Sequence, residues 1–224
     1  VVQKTNYPWD GDVQITVTPT EPSEFTVHLR IPGWADHAQV AVNAKGLTGA
    51  TPGTYLPIQR RWSPGDVIQL KLAVVPEIIE ANPRVADDTG RIAVQRGPLV
   101  YCLEEIDQPK GISLSDVAVN PGRQPAEQFQ PEFRSDLLGG MVVLHHTGEV
   151  YERGATGKAL YSRYDREART QKIPLTFIPY YAWANRQATS MQVWNLLLQT
   201  YRSPATHQAM RTRDKPCRGS VNCN

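Results

Sequence analysis

Phe25-Thr26-Val27-His28-Leu29-Arg30-Ile31 alternates apolar and polar side chains without a break. Period two places every second residue on one face of a strand, so this segment buries one face and wets the other. The pattern extends outward in both directions. Val13, Ile15 and Val17 alternate with Gln14 and Thr16 on the N-terminal side. Val40 and Val42, then Tyr55 to Ile58, then Val67, Ile68, Leu70, Leu72 and Val74 follow on the other. Pro19-Thr20-Glu21-Pro22, Pro32-Gly33, Pro52-Gly53 and Ser63-Pro64-Gly65-Asp66 separate them, and these are turn formers. Short strands spaced by such turns predict an antiparallel sandwich or barrel.

Two further strands are expected at Arg91 to Gln95 and Leu99 to Leu103, hinged at Gly97-Pro98. From Asp107 to about Asp136 the pattern fades under Pro109, Pro121, Pro125 and Pro131, which reads as a crossing between packing units with one strand at Val117 to Val119. Met141 to Leu144, Lys172 to Tyr181 and Met191 to Leu198 then read as a second β unit, with Arg153 to Tyr164 as a long loop. The expected fold is therefore all-β, with two antiparallel β-sandwich units. The first spans residues 1–106 and the second 107–199. Residues 200–224 have no periodicity and are expected to form a disordered basic tail.

Composition narrows the function classes. The chain has 224 residues, with 24 Lys plus Arg against 22 Asp plus Glu, a formal net charge of +2. That balance gives no reason to expect nucleic acid or an anionic membrane as partner. No apolar run approaches the ~20 residues of a membrane-spanning helix. Proline, at 18 residues, disfavours a helix-rich fold, and three cysteines are too few for a disulfide scaffold. There is neither an Asn-x-Ser/Thr sequon nor a Gly-x-Ser-x-Gly elbow. The compartment is left open. The start, Val1-Val2-Gln3-Lys4-Thr5, is neither an initiator methionine nor a signal peptide and suggests a chain that begins inside a domain.

Residues that could carry chemistry are sparse. Glu104 and Glu105 are adjacent on a strand and so point to opposite faces, whereas a glycosidase needs two carboxyl groups facing one sugar, about 5–9.5 Å apart. Asp87-Asp88 falls in a turn, where Asp bonds its own backbone. His145 and His146 share a strand but not a face, a poor arrangement for metal binding, and Cys217, Cys223 and His207 make only three zinc donors where four are usual. Cys102, inside Leu99-Val100-Tyr101-Cys102-Leu103, reads as a buried inert thiol. Metal and catalytic residues are therefore expected to be none. Of the five tryptophans, Trp9 and Trp34 follow Pro8 and Pro32-Gly33 in loop-like positions and are candidates for contact with carbohydrate. Trp62, Trp183 and Trp194 are expected in a core or interface. Arg186 could clamp a carboxylate of a neighbouring domain or sit as a surface charge, so Arg186 and Trp183 are the domain-interface candidates.

Several segments, taken together in order, resemble a known family. They are Tyr7-Pro8-Trp9-Asp10-Gly11, Leu29-Arg30-Ile31-Pro32-Gly33-Trp34, Val42-Asn43, Trp62-Ser63-Pro64-Gly65-Asp66, Gly90 through Glu104, Ile178-Pro179-Tyr180-Tyr181-Ala182-Trp183-Ala184-Asn185-Arg186, and Met191-Gln192-Val193-Trp194. This series resembles the C-terminal region of glycoside hydrolase family 127, the β-L-arabinofuranosidase-like proteins, over roughly residues 5 to 195. The resemblance implies two β-sandwich domains, the first truncated at its N-terminus, that support an (α/α)6 catalytic barrel not contained in this chain. In that family the nucleophilic cysteine, the zinc ligands and the acid/base glutamate belong to the barrel. It follows that this chain alone is inactive, holds no cofactor, and has as partners the missing barrel and, through it, plant arabinofuranoside-containing glycans. Where the family often has Val-Asn-Gly, this chain has Val42-Asn43-Ala44; alanine takes φ > 0 only at a cost, so that turn is expected to differ. A stand-alone carbohydrate-binding module and a structural or dimerising module are the alternatives.

Overall fold

The computed structural model describes residues 1–152, 161 and 169–198. Most of the expected loop at 153–164 and the whole tail 200–224, with Cys217, Cys223 and His207, lie outside the described residues. Seven strands build the first unit: β1 (Val2–Thr5), β2 (Asp12–Val17), β3 (Ser23–Arg30), β4 (Gln39–Val42), β5 (Lys45–Leu47), β6 (Tyr55–Trp62) and β7 (Asp66–Lys71). They form an antiparallel sheet in the order β1-β2-β7-β4-β5 and a separate antiparallel pair, β3-β6. Val13, Val17, Val40, Val42, Ile68 and Leu70 of the sheet meet Leu29, Leu56, Ile58 and Trp62 of the pair in one core. The alternation read from the sequence is the cause. In β7 the odd residues point outward and Asp66, Ile68 and Leu70 point in. Trp62 has no exposure, and its Nε1 donates to the Phe25 carbonyl at 3.0 Å.

The turn from β4 to β5 holds both Asn43 (φ 50°) and Ala44 (φ 64°) in the left-handed region, so the alanine takes the conformation that a glycine adopts without cost. Asn43 offsets part of the strain: its Nδ2 donates to Asp66 Oδ1 at 2.7 Å and its Oδ1 accepts from the Val67 N–H at 2.9 Å.

The second unit comprises β8 (Pro76–Glu80), β9 (Arg91–Arg96), β10 (Leu99–Glu104), β11 (Val117–Val119), β12 (Gln130–Arg134), β13 (Met141–Tyr151), β14 (Thr170–Pro179), β15 (Met191–Gln192) and β16 (Asn195–Leu197). Sheet membership differs here from the division at 106/107. β8, β9 and β10 belong to the second unit, because β10 pairs with β14 and β9 with β16. The change of sheet falls between Lys71 and Pro76. Hydrogen bonding then runs full circle, β10-β14-β13-β11-β16-β9 and back to β10, so the two halves of this sandwich are joined at both edges. β11 and β16 are parallel, and the other pairings are antiparallel.

Inside the ring lie Val94, Tyr101, Leu103, Phe129, Leu144, Leu175 and Phe177. A smaller cluster of Cys102, Met141, Val143, Ile178 and Ala182 lies outside it. The Cys102–Ile178 rung of β10 and β14 puts those two side chains on the outer face. Tyr180 and Tyr181 are not strand residues as expected. β14 ends at Pro179, and Tyr180–Ala182 make a 3-10 turn. No helix among the described residues is long and apolar enough to cross a membrane.

Candidate functional site: a braced aromatic turn

A densely bonded polar cluster sits where the chain leaves β14. Glu104, the last residue of β10, has no exposure. Its Oε1 accepts from the Ala184 N–H at 3.0 Å and the Thr189 hydroxyl at 3.2 Å, and its Oε2 accepts from Arg186 Nη2 at 2.5 Å. Arg186 also donates to both oxygens of Asp107, Nη1 to Oδ1 at 2.7 Å and Nη2 to Oδ2 at 2.5 Å. A guanidinium fork on two carboxylates is charge-assisted and geometrically fixed. The Asp107 bonds first, then those of Glu104, outweigh burial and hold the Arg186 guanidinium still further above its usual range.

This cluster anchors a turn that displays rings. Tyr180, Tyr181 and Trp183 are 48%, 55% and 38% exposed, and the rings of Tyr180 and Trp183 stack at 6.4 Å and 16°. Ala184 takes φ 59°, an uncommon conformation for a residue with a Cβ, and its N–H is the one held by Glu104. Asn185 Nδ2 donates to the carbonyls of Tyr181 and Trp183 at 3.1 and 3.2 Å. Arg186 therefore clamps carboxylates of its own chain, and Trp183 stands on the surface beside it.

Trp9 and Trp34 lie elsewhere and are used internally. Trp9 packs against both clusters of the second unit and edge-on to Phe133 at 6.5 Å, while its carbonyl accepts from Arg96 Nη2 at 3.1 Å. Trp34 stacks on Tyr7 at 6.4 Å. It also closes on Gly97 (φ 54°), where an added Cβ would stand 3.5 Å from Trp34 Cη2 and 3.0 Å from Val74 Cγ1. Both tryptophans thus stitch the two units together.

The cysteine and the histidine pair set aside in the sequence are engaged or buried. The Cys102 thiol has no exposure, and burial, then the nearby carboxylates, push it up to about 12. A nucleophilic thiolate needs the opposite shift. His145 Nε2 meets Glu132 Oε2 at 2.6 Å, and His146 stacks on Phe129 at 4.4 Å. Among the described residues no group of three His, Cys, Asp or Glu side chains could hold a metal. The zinc that the resemblance assigns to the barrel has no fitting donor set among these residues.

Comparison with known proteins completes the assignment. Residues 1–74 match the family model "Beta-L-arabinofuranosidase, GH127 middle domain", and residues 76–196 match "Glycoside hydrolase family 127 C-terminal domain". The chain belongs to glycoside hydrolase family 127. The two matched ranges meet where the structure changes sheet. This GH127 chain is 33% identical over 211 residues to the "Non-reducing end beta-L-arabinofuranosidase" of Bifidobacterium longum subsp. longum, covering 87% of the chain and 30% of that protein. The crystal structure of a GH127 β-L-arabinofuranosidase from Geobacillus stearothermophilus T6 superposes with a TM-score of 0.78 at 39% identity, covering 87% of this chain and 30% of that one. A solved GH127 β-arabinofuranosidase gives 0.73 at 32% identity, covering 87% and 31%. The chain thus spans about a third of the length of these relatives and corresponds to the non-catalytic middle and C-terminal portion of a GH127 enzyme.

Sequence reasoning singled out Arg186 and Trp183 and missed Glu104, Asp107, Tyr180 and Tyr181 as their companions. The one signal for Glu104 was a carboxylate closing an otherwise apolar strand. Nothing local marked Asp107.

Proposed function

We propose that this chain supports the (α/α)6 catalytic barrel of a β-L-arabinofuranosidase-type enzyme, and that the barrel carries the zinc, the nucleophile and the contacts with arabinofuranoside-containing glycans. The observation that carries this reading is the match to the middle and C-terminal family domains alone, over 30% of a relative's length. The buried state of Cys102 supports it, since the one described thiol is poorly placed to attack a sugar. The use of Trp9 and Trp34 in the seam between units speaks against a stand-alone carbohydrate-binding module built on them.

The test has two parts. The purified chain, incubated with a chromogenic β-L-arabinofuranoside, gives no turnover; turnover abolished by Cys102→Ala would overturn the proposal. Mixed with a separately produced catalytic barrel of a GH127 relative, the chain co-elutes with it in size-exclusion chromatography. Two separate peaks at tens of micromolar would also overturn it.

A further inference from the structure

We propose that Tyr180, Tyr181 and Trp183 form the anchor by which this β portion seats against the catalytic domain of its enzyme, with Arg186, Glu104 and Asp107 as the brace that holds them outward. This rests on the support role proposed above and says which face performs it. The occupant is a domain more than twice the size of this chain, since the chain covers only 30% of the two β-L-arabinofuranosidases compared. A mass of that size needs a seat, and stable seats centre on Trp and Tyr side chains surrounded by a polar rim.

Three observations place the seat here. First, three large rings within four residues stand 38–55% exposed, an unusual concentration for a surface with nothing to cover it. Val100, one residue beyond the Tyr101–Pro179 rung, adds 42% exposure to the same end of the sheet. Val100 and Tyr180 open together onto a groove of about 690 Å³ floored by Met191, Val193 and Trp194, with Asp87 and Asp88 also lining it.

Second, the exposure is maintained by structure. The inner side of the turn is already filled: Ala182 is buried in one cluster with Cys102, Val143 and Ile178, so the rings beside it have no open apolar surface of their own chain to fold onto. The turn is fixed in that place by the bond from Ala184 N–H to Glu104, by the two Asn185 bonds and by the Arg186 fork. A ring fixed before contact loses less freedom on binding, so the brace pre-organises the seat.

Third, the polar atoms at the surface point to a protein partner over a sugar. Trp183 Nε1 already donates to the Thr189 carbonyl at 3.4 Å, and the carbonyls of Tyr181 and Trp183 accept from Asn185. What remains is carbon face tipped by the Tyr180 and Tyr181 hydroxyls, the mixed apolar and polar character of the Tyr- and Trp-rich core of a protein interface. Arg91 Nη1 is committed to the Trp194 carbonyl at 2.9 Å. The chemistry that fits is an apolar helix face opposite the rings with a Lys or Arg opposite Asp87 and Asp88.

The test uses the full 224-residue chain and the separately produced catalytic domain of a GH127 relative. Wild type binds, and the double variant Tyr181→Ser/Trp183→Ala binds at least tenfold more weakly. Tyr55→Ser, 61% exposed on the first unit, binds as wild type does. Asp88→Lys weakens binding several-fold, more at low salt than at high. Thermal melts matching wild type show that the surface variants fold. Wild-type binding that the double variant retains overturns this inference and leaves the support role standing. Failure of wild type itself to bind overturns both. Two other results also overturn the inference: Trp183-dependent fluorescence quenching by arabino-oligosaccharides with the free chain, or self-association that the double variant abolishes.

Discussion

The two units of this chain handle a buried carboxylate in different ways. In the middle domain Asp66 is satisfied from 3 to 23 residues away: the Ser63 N–H at 2.9 Å, Asn43 Nδ2 at 2.7 Å and, more loosely, Arg60 at 3.5 Å. Those bonds, the Asn43 one first, hold the Asp66 carboxyl below its usual range. In the C-terminal domain Glu104 is satisfied from 80 to 85 residues away, by Ala184, Arg186 and Thr189. The nearer set ties two turns at one end of the sheet together, the Ser63 turn and the Asn43 turn. A remote one secures the attachment of a whole segment across a sheet, and so places surface groups that no local rule could place.

The contrast can be broken most directly at Arg186. Arg186→Met leaves the Glu104 carboxylate buried without its cation, which costs about 3–5 kcal/mol. Urea unfolding followed by tryptophan fluorescence should show that loss, and Arg186→Lys should recover only part of it because one ammonium cannot reproduce the fork. A loss below ~1 kcal/mol would mean that the brace is dispensable. In the middle domain the comparable central residue is Trp62. Trp62→Phe removes the Nε1 bond to the Phe25 carbonyl and part of the ring, and should cost about 2 kcal/mol by the same measurement.

Acid should separate the two units. Burial lowers the His146 value below its usual 6.5, so the unfolded chain takes up the proton more readily than the folded one. The stability this histidine contributes is complete above about pH 6.5 and is lost as pH falls toward the lowered folded value. Asp66 acts in a lower window: its contribution is complete above its usual 3.8 and is lost as pH falls through its depressed folded value. As pH falls below 6.5, and before it falls below 3.8, the C-terminal domain should soften while the Asp66 turn holds. His146→Phe should flatten the dependence of the urea midpoint over that range, and an unchanged slope would remove His146 from the account.

Smaller effects sharpen the same comparison. Ala44→Gly relieves a Cβ at φ 64° and should stabilise the middle domain by about 1 kcal/mol, seen as a rise in Tm. In the C-terminal domain, Cys102 should not react with a thiol reagent at pH 8 in a Cys217→Ser/Cys223→Ser background until the chain is unfolded.

Much of the fold was legible in the sequence. Alternation in Phe25–Ile31 and Val67–Leu72 located strands and their buried faces, because the side-chain period of a strand is a local property. The boundary was not legible. Arg91–Glu104 is apolar through Ile92–Val94 and Leu99–Leu103, a pattern that marks strands buried on both faces without saying which strand lies alongside. The candidate site was legible only in outline. Arg186 and Trp183 stood out as residue types, but the surroundings of Trp183, Glu104 and Asp107 depend on a crossing that local patterns do not encode.

By itself, then, the sequence determined an all-β chain of the GH127 family, its turns, and the inward faces of its strands. The tertiary structure decided that the second sheet closes on itself, that Trp9 and Trp34 fasten one unit to the other, and that a charge cluster joining residues 104, 107 and 186 holds three rings outward. The physical reason is range. Strand period and turn chemistry act over a few residues, whereas pairing, closure and ion clamping depend on which distant segments meet, and that is settled only when the whole core is packed.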